Sequence, residues 1–436
     1  MKRNKRLALD AAAIFVFAMV CFSGCTRKND RAEKKGPVTI TLGMHVANTK
    51  AQEPVTYAIV QKFMEENPDI TIKIEGNDKD EHVKKMKMAA QINDLPDIFW
   101  MDSSVAPEMS KAGYLLDLNE FLDEYPAVAA AIPANMKNAC SKNGVQYGLP
   151  YQSLVTGFWY NKALFKKYGI PEPVNGTTYD ELLSMVKKFR ANGIVPVEQG
   201  AKDPYSVWGF LIGIARYGYF NRIDAILAKT DSFTNPDFEK YFEKLYELGK
   251  NGAFPENTAT MNYFQAKQDF IIGKGALFDS GMWDAGELDK SIGDTIGFWW
   301  GPVFSDVSYP QKLKMKVSSA PFCVSKNVST DETRKKAVFK FLAFYYGKEA
   351  AEISYKGSII PATDYTTDVD LSDKPAFKAI VAALNEKDWV SPVAQPDLVL
   401  SESVQAQLYD SLYGAMLNTY KPKDALAKID AVLSQQ

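Results

Sequence analysis

The chain has only two histidines in 436 residues, His45 and His82. Neither sits in an HExxH spacing, so a zinc hydrolase has almost no material here. Cysteine is nearly as scarce, with four in all: Cys21, Cys25, Cys140 and Cys323. The last two are 183 positions apart (323 − 140), which makes neither a disulfide framework nor a metal knuckle. They are expected to be two buried thiols, with a single long-range bridge as the alternative. No GxGxxG follows the first strand pattern, and GxxxxGK(S/T) and GxSxG do not occur, so no dinucleotide, ATP or serine-hydrolase chemistry is implied. Excess positive charge is missing as well. With 51 Lys and Arg against 53 Asp and Glu the net charge is −2, which speaks against nucleic acid as a partner. The uninterrupted apolar run from Ala11 to Phe22 is shorter than the roughly 20 residues of a membrane span.

That run nevertheless has a clear layout. Lys2, Arg3, Lys5 and Arg6 precede it and the small residues Ser23 and Gly24 follow it, the tripartite pattern of an export signal. The stretch Phe22-Ser23-Gly24-Cys25 resembles the lipobox of bacterial lipoproteins, although Phe22 stands where Leu is usual. The resemblance implies removal of residues 1–24, acylation of Cys25 and attachment to the extracellular face of the cell membrane. The lost segment carries four cations and Asp10, so the mature chain of 412 residues has a net charge of −5 (−2 − 4 + 1). Residues 25–37 then read as the lipidated cysteine and a polar, aperiodic tether. The remainder has the composition of ordinary globular protein, 46% hydrophobic and 24% charged, and is long enough for two or three domains.

Order begins abruptly after the tether. Val38, Ile40 and Leu42 alternate with period two, Val55, Ala58, Ile59 and Phe63 share a helical face that Asn67-Pro68 ends, and Ile70, Ile72 and Ile74 alternate again. A lysine-rich helical stretch and the short strand-like LPDIFWMD follow. Such β-α-β-α-β alternation predicts a parallel sheet with ligand at the carboxyl ends of its strands, here near His45 and Asp102. Farther along, Thr178 stands three before Glu181 in capping-box spacing, and VSSAPFCVS is strand-like. Val404, Leu408, Leu412 and Met416 form an i+4 stripe that predicts core.

Several runs in order carry a wider likeness: LPDIFWMD, KAGYLLDLNEFL, NGVQYGLPYQSLVTGFWYNKALFKKYGIPEP, FIIGKGALFDSGMWDAGEL, SSAPFCVSKN, IIPA and KPKDALAKI. Together they resemble the extracellular solute-binding proteins of ABC importers, in the branch that includes maltose-binding protein. The resemblance covers nearly all of residues 38–436. It implies an α/β, two-lobed periplasmic-binding-protein-like fold of class II type, each lobe a mixed sheet flanked by helices, with a hinge and an interlobe cleft. It assigns 38–147 and 317–360 to the first lobe, and 148–316 and 361–436 to the second.

A sugar site needs aromatic faces plus groups that orient hydroxyls. With 7 Trp, 22 Tyr and 25 Phe the supply is ample, so position must select. By resemblance, Trp283 in GMWDAG matches the tryptophan on which the maltose-binding branch stacks a sugar ring. Asp203 and Tyr205 match an acid-Pro-Tyr stretch that touches ligand there, with Trp208 at its end. Asp102 lies where relatives place a binding carboxylate, the alternative being a cap on the segment after it. Trp299 and Trp300 are adjacent, so on a strand they face opposite sides, and Trp300 is assigned to the cleft. Tyr151, His45 and Glu198 complete the candidates. Two departures stand out, since aromatic positions of the maltose-binding branch fall at Met101 and near Gln405. No catalytic residue, metal or cofactor is implied. The expected partners are a small solute, an oligosaccharide first of all, the permease subunits of an importer, and the membrane through Cys25, with the protein itself a monomer. A peptide or polyamine ligand, a surface sensor or adhesin, and a glycoside hydrolase stay as alternatives.

Overall fold

The structure, a computed structural model, describes residues 37–365 and 367–436. The leader, Cys25 and the tether up to residue 36 lie outside the described residues. The opening alternation forms β1 Val38–Met44, β2 Ile70–Gly76 and β3 Ile98–Trp100. Strand β1 pairs in parallel with both others, because the helices Pro54–Glu66 and Lys79–Gln91 carry the chain back between strands. The first of these helices starts with proline at its amino terminus; of the face expected from spacing it buries Ile59 and Phe63, with Val60 beside them, while Val55 is half-buried and Ala58 exposed. A short hairpin, β4 Ser141–Lys142 and β5 Val145–Gln146, turns at Asn143-Gly144, both left-handed as a tight hairpin requires.

The remaining strands are β6 Leu149–Pro150, β7 Ser153–Asn161, β8 Val195–Glu198, β9 Gly275–Gly281, β10 Ile296–Trp299, β11 Lys316–Ser318 and β12 Pro321–Val324. They complete two sheets, one ordered β2-β1-β3-β12-β6 and the other β10-β7-β9-β8 with β11 also paired to β7. Both are mixed: β12 runs antiparallel to β3, and β9 is antiparallel to β7 but parallel to β8. Each sheet is the centre of one lobe.

The chain passes between the sheets through Tyr151-Gln152, returns through Ser319-Ala320, a few residues beyond the boundaries expected at 148 and 317, and passes again near Ile360. The passages are tied to one another. Ser319 N donates to Gln152 O at 3.1 Å, Tyr151 N to Ala320 O at 3.2 Å, and Ser153 N to Ile360 O at 3.2 Å. Three hydrogen-bonded strands of connection make a joint that bends as a unit, the arrangement used for hinge closure.

Both faces of the second sheet are covered. One apolar cluster includes Phe158, Trp299 and the stripe Val404, Leu408, Leu412 and Met416, which lies inside the helix Glu402–Met416 and is fully buried. The other includes Val155, Trp159, Phe298 and Trp300. Thr178 and Glu181 form the anticipated capping box at the helix Tyr179–Ala191. Cys140 and Cys323 are free, buried thiols, and burial pushes the Cys140 pKa up to about 12, so it is inert as a nucleophile.

Candidate binding cleft

On the second lobe the loop 200–206 connects β8 to the helix Trp208–Arg216, and it is pinned at its middle. The Asp203 carboxylate accepts Tyr263 N at 2.9 Å, capping the helix Tyr263–Ile271, and Lys202 N donates to Met261 O at 3.0 Å. Tyr205 is 46% exposed and its ring lies 5.7 Å from that of Trp208. Trp208 in turn meets Trp283 edge to face at 4.7 Å and Tyr263 at 5.5 Å. Tyr205, Trp208 and Trp283 thus form one aromatic wall, with the two tryptophans half-buried.

The orientation of Trp283 is fixed from behind. Its Nε1 donates to the Tyr263 hydroxyl at 2.8 Å, and that hydroxyl donates to the buried carboxylate of Asp284, which Lys267 Nζ pairs at 3.2 Å. Gly281 makes room for the ring, since a Cβ there would lie 2.3 Å from Trp283 Cζ3. A ring locked by a buried polar chain loses little entropy when a ligand stacks on it. Tyr263 and Asp284 were not singled out from the sequence. The one signal was the acid directly after the tryptophan in GMWDAG.

On the first lobe, His45 follows β1 and stacks on Trp100 with centroids 4.2 Å apart. Burial, then His82 and Lys79, lower the His45 pKa to about 4. Its 3.8 Å approach to Glu53 is therefore a contact of a neutral imidazole and not an ion pair. Tyr151 is buried, and its hydroxyl bonds Thr56 at 2.5 Å and Glu53 at 2.9 Å, so it holds the hinge side of this lobe together. Asp102 does not cap the following helix, which starts at Ala106 after Val105 without a side-chain cap; its carboxylate instead accepts Ser104 N at 3.0 Å and Ser104 Oγ at 2.8 Å in the turn ahead of it, and pairs Lys79 at 3.4 Å.

The second lobe carries a buried polar chain of its own. Thr156, paired with Gly281, bonds Gln395 at 3.2 Å; Gln395 donates to Asp397 at 2.8 Å, and Tyr409 donates to the same carboxylate at 2.5 Å. Burial and Asp397, with a further contribution from Asp102, hold the Tyr409 hydroxyl protonated. Gln405, in the late aromatic position, also bonds Asp397. Beside this chain a cavity of about 550 Å³ separates Ser103, Ser104 and Tyr147 of the first lobe from Ala394, Leu398 and Ser401 of the second. The aromatic wall does not line that cavity. The cavity, with Asn135, Asn138, Glu108, Lys142 and Tyr147 among its lining, offers polar partners, whereas the wall offers oriented ring faces.

A family profile described as bacterial extracellular solute-binding protein matches residues 58–379. The chain belongs to that family. Its members are binding proteins, not enzymes. Among curated relatives, the multiple sugar-binding protein of Streptococcus mutans is 23% identical over 65% of this chain and 66% of its own length. The sn-glycerol-3-phosphate-binding periplasmic protein of Brucella abortus is 26% identical over 43% of this chain and 41% of its own. The chain thus spans less than two thirds of either relative. A solved chitin oligosaccharide binding protein superposes with a TM-score of 0.76 at 20% identity, covering 91% of this chain and 98% of that one, which establishes the shared fold. The protein is accordingly an extracellular solute-binding protein by family, with the fold those proteins share. Among the described residues no helix is long and apolar enough to cross a membrane.

Two candidates of this solute-binding protein leave the cleft. Trp300 is completely buried and its Nε1 bonds Ala383 O at 3.4 Å. It does face away from Trp299, but helices cover both sides of the sheet, so neither ring is available to ligand. Glu198 is 1% exposed and its side chain packs against Gly275, within the lobe; neither carboxyl oxygen has a hydrogen-bond partner among the described residues. Burial, reinforced by Asp269 and opposed by Lys274 and Arg190, pushes its pKa from 4.5 up to about 8. A raised acid lends stability below its unfolded-state pKa that is lost as pH climbs through the folded one. Glu198→Gln is expected to match the native urea stability near pH 4 and exceed it at pH 8 by a few kcal/mol, because each tenfold change in proton affinity is worth about 1.4 kcal/mol. A difference that does not change with pH would refute the raised pKa.

Proposed function

We propose that the protein is the lipid-anchored binding subunit of an ABC importer and that its solute is a carbohydrate, a short oligosaccharide. The observation that carries this reading is the wall of Tyr205, Trp208 and Trp283, with Trp283 held by the Tyr263 hydroxyl. Sugar rings present flat C–H faces, and an aromatic face that is already oriented gains their contact without ordering cost. The name of the Streptococcus mutans relative supports the same class. The name of the Brucella relative points to a phosphate-bearing solute instead; Lys142 lines the interlobe cavity and Lys79 pairs Asp102, so the oriented ring faces of the wall, and not a lack of cations, favour the sugar. Ligand on the wall of one lobe gains contacts from the other as the hinge bends, so binding favours the closed form, and the permease reads closure. Acylation at Cys25 keeps the protein beside that permease.

The test is thermal unfolding against oligosaccharides, monosaccharides, peptides, polyamines and glycerol phosphate. A solute at 100 times its dissociation constant adds about 2.7 kcal/mol to the folded state. Stabilisation by an oligosaccharide without turnover is the expected result; stabilisation by a peptide, a polyamine or glycerol phosphate alone would overturn the carbohydrate reading. Cys25→Ser is expected to release the protein from the membrane fraction into the medium, and retention would overturn the anchor.

A further inference from the structure

The helix that carries Tyr263 has a second feature that the cleft does not use. Phe264, the next residue, is 60% exposed, its ring 5.4 Å from that of Tyr263. Lys267 Nζ covers one face of the ring at 5.2 Å from the centroid and leaves the rest open. Phe264 lines a shallow depression of about 400 Å³ together with Asn257, Asn262, Gln265 and Gln268. An exposed phenylalanine among four carboxamides is an unusual surface, because the amides add no apolar neighbour to hide the ring.

Three of those amides are held at one end. Asn262 Oδ1 accepts Gln265 N at 2.8 Å, Gln265 Oε1 accepts Asn262 N at 2.9 Å, and Gln268 Nε2 donates to Glu287 at 3.2 Å. Among the described residues the opposite ends have no partner: the amide nitrogens of Asn262 and Gln265, which donate, and the oxygen of Gln268, which accepts. Two oriented donors and one oriented acceptor around an open ring is the chemistry that hydroxyl-rich rings require, and the charges beside it are already paired, Lys267 with Asp284 and Glu287 and Asp269 with Lys274.

The depression is linked to the wall through Tyr263, the neighbour of Phe264 in the chain. Tyr263 holds Trp283 through its hydroxyl while its own backbone N–H is held by Asp203 in the loop that bears Tyr205. We infer that Phe264 and its carboxamides form an outer carbohydrate subsite that takes glycan units beyond those stacked on Trp208 and Trp283. The inference rests on the carbohydrate reading of the cleft, and it makes chain length a determinant of affinity.

The test is calorimetric titration of the whole exported protein with malto-, xylo- and chito-oligosaccharides from disaccharide to hexasaccharide. In the series whose disaccharide binds, affinity is expected to rise with length by on the order of tenfold. Phe264→Ala is expected to abolish that rise and leave disaccharide affinity and the unfolding midpoint unchanged, whereas Phe264→Trp retains it. A rise that survives in Phe264→Ala, or no rise in the native protein, overturns the outer subsite while the cleft reading stands. If no glycan of any length binds, the carbohydrate reading itself fails and the subsite falls with it.

Discussion

Trp283→Ala is expected to weaken oligosaccharide binding about 100-fold, or about 2.7 kcal/mol, without unfolding the protein. The ring is half-buried, and the structure spends its buried contacts on aiming it: Tyr263 from behind, Gly281 beneath, Trp208 at its edge. Removing it deletes the stacking face and leaves Tyr263 bonded to Asp284 and Ser280, so no buried polar group is stranded. The measurement is a binding isotherm beside a denaturation curve. Loss of affinity with a small change in midpoint supports the platform role; unchanged affinity moves recognition to the interlobe cavity instead.

Trp300→Ala is expected to do the reverse. A fully buried indole, packed edge to face on Phe298 at 5.0 Å, leaves a cavity that costs about 3–5 kcal/mol. Its nearest role in binding is indirect, so affinity measured well below the shifted melting temperature is expected to stay within about twofold, a difference smaller than one hydrogen bond. Urea denaturation checks the first expectation and titration the second. A stable variant with lost affinity would return Trp300 to the cleft.

The contrast between the two tryptophans shows what a sequence can and cannot resolve. Both stand in aromatic, glycine-flanked stretches. The alternation rule correctly put Trp299 and Trp300 on opposite sides of their sheet. It carried no information on whether the second side was open. Glu198 fails for the same reason, since its packing against Gly275 depends on a strand 77 positions later (275 − 198). Asp102 is a further case: a helix cap was its alternative, but its bonds to Ser104 close a turn ahead of that helix, whose N-cap is Val105.

By itself the sequence determined the parallel β-α-β-α-β opening, the capping box at Thr178, the buried stripe from Val404 to Met416 and, through its ordered motifs, the family. Each of these is local or repeated: a period of two or 3.6 residues reports which side of an element is apolar, and a cap is made within one turn. Only the tertiary structure decided that Tyr205, Trp208 and Trp283 share one wall, and that Tyr263 and Asp284 aim it. Those relations join residues far apart in the chain, and what places them is the packing of separate elements on a common sheet, which no periodicity records.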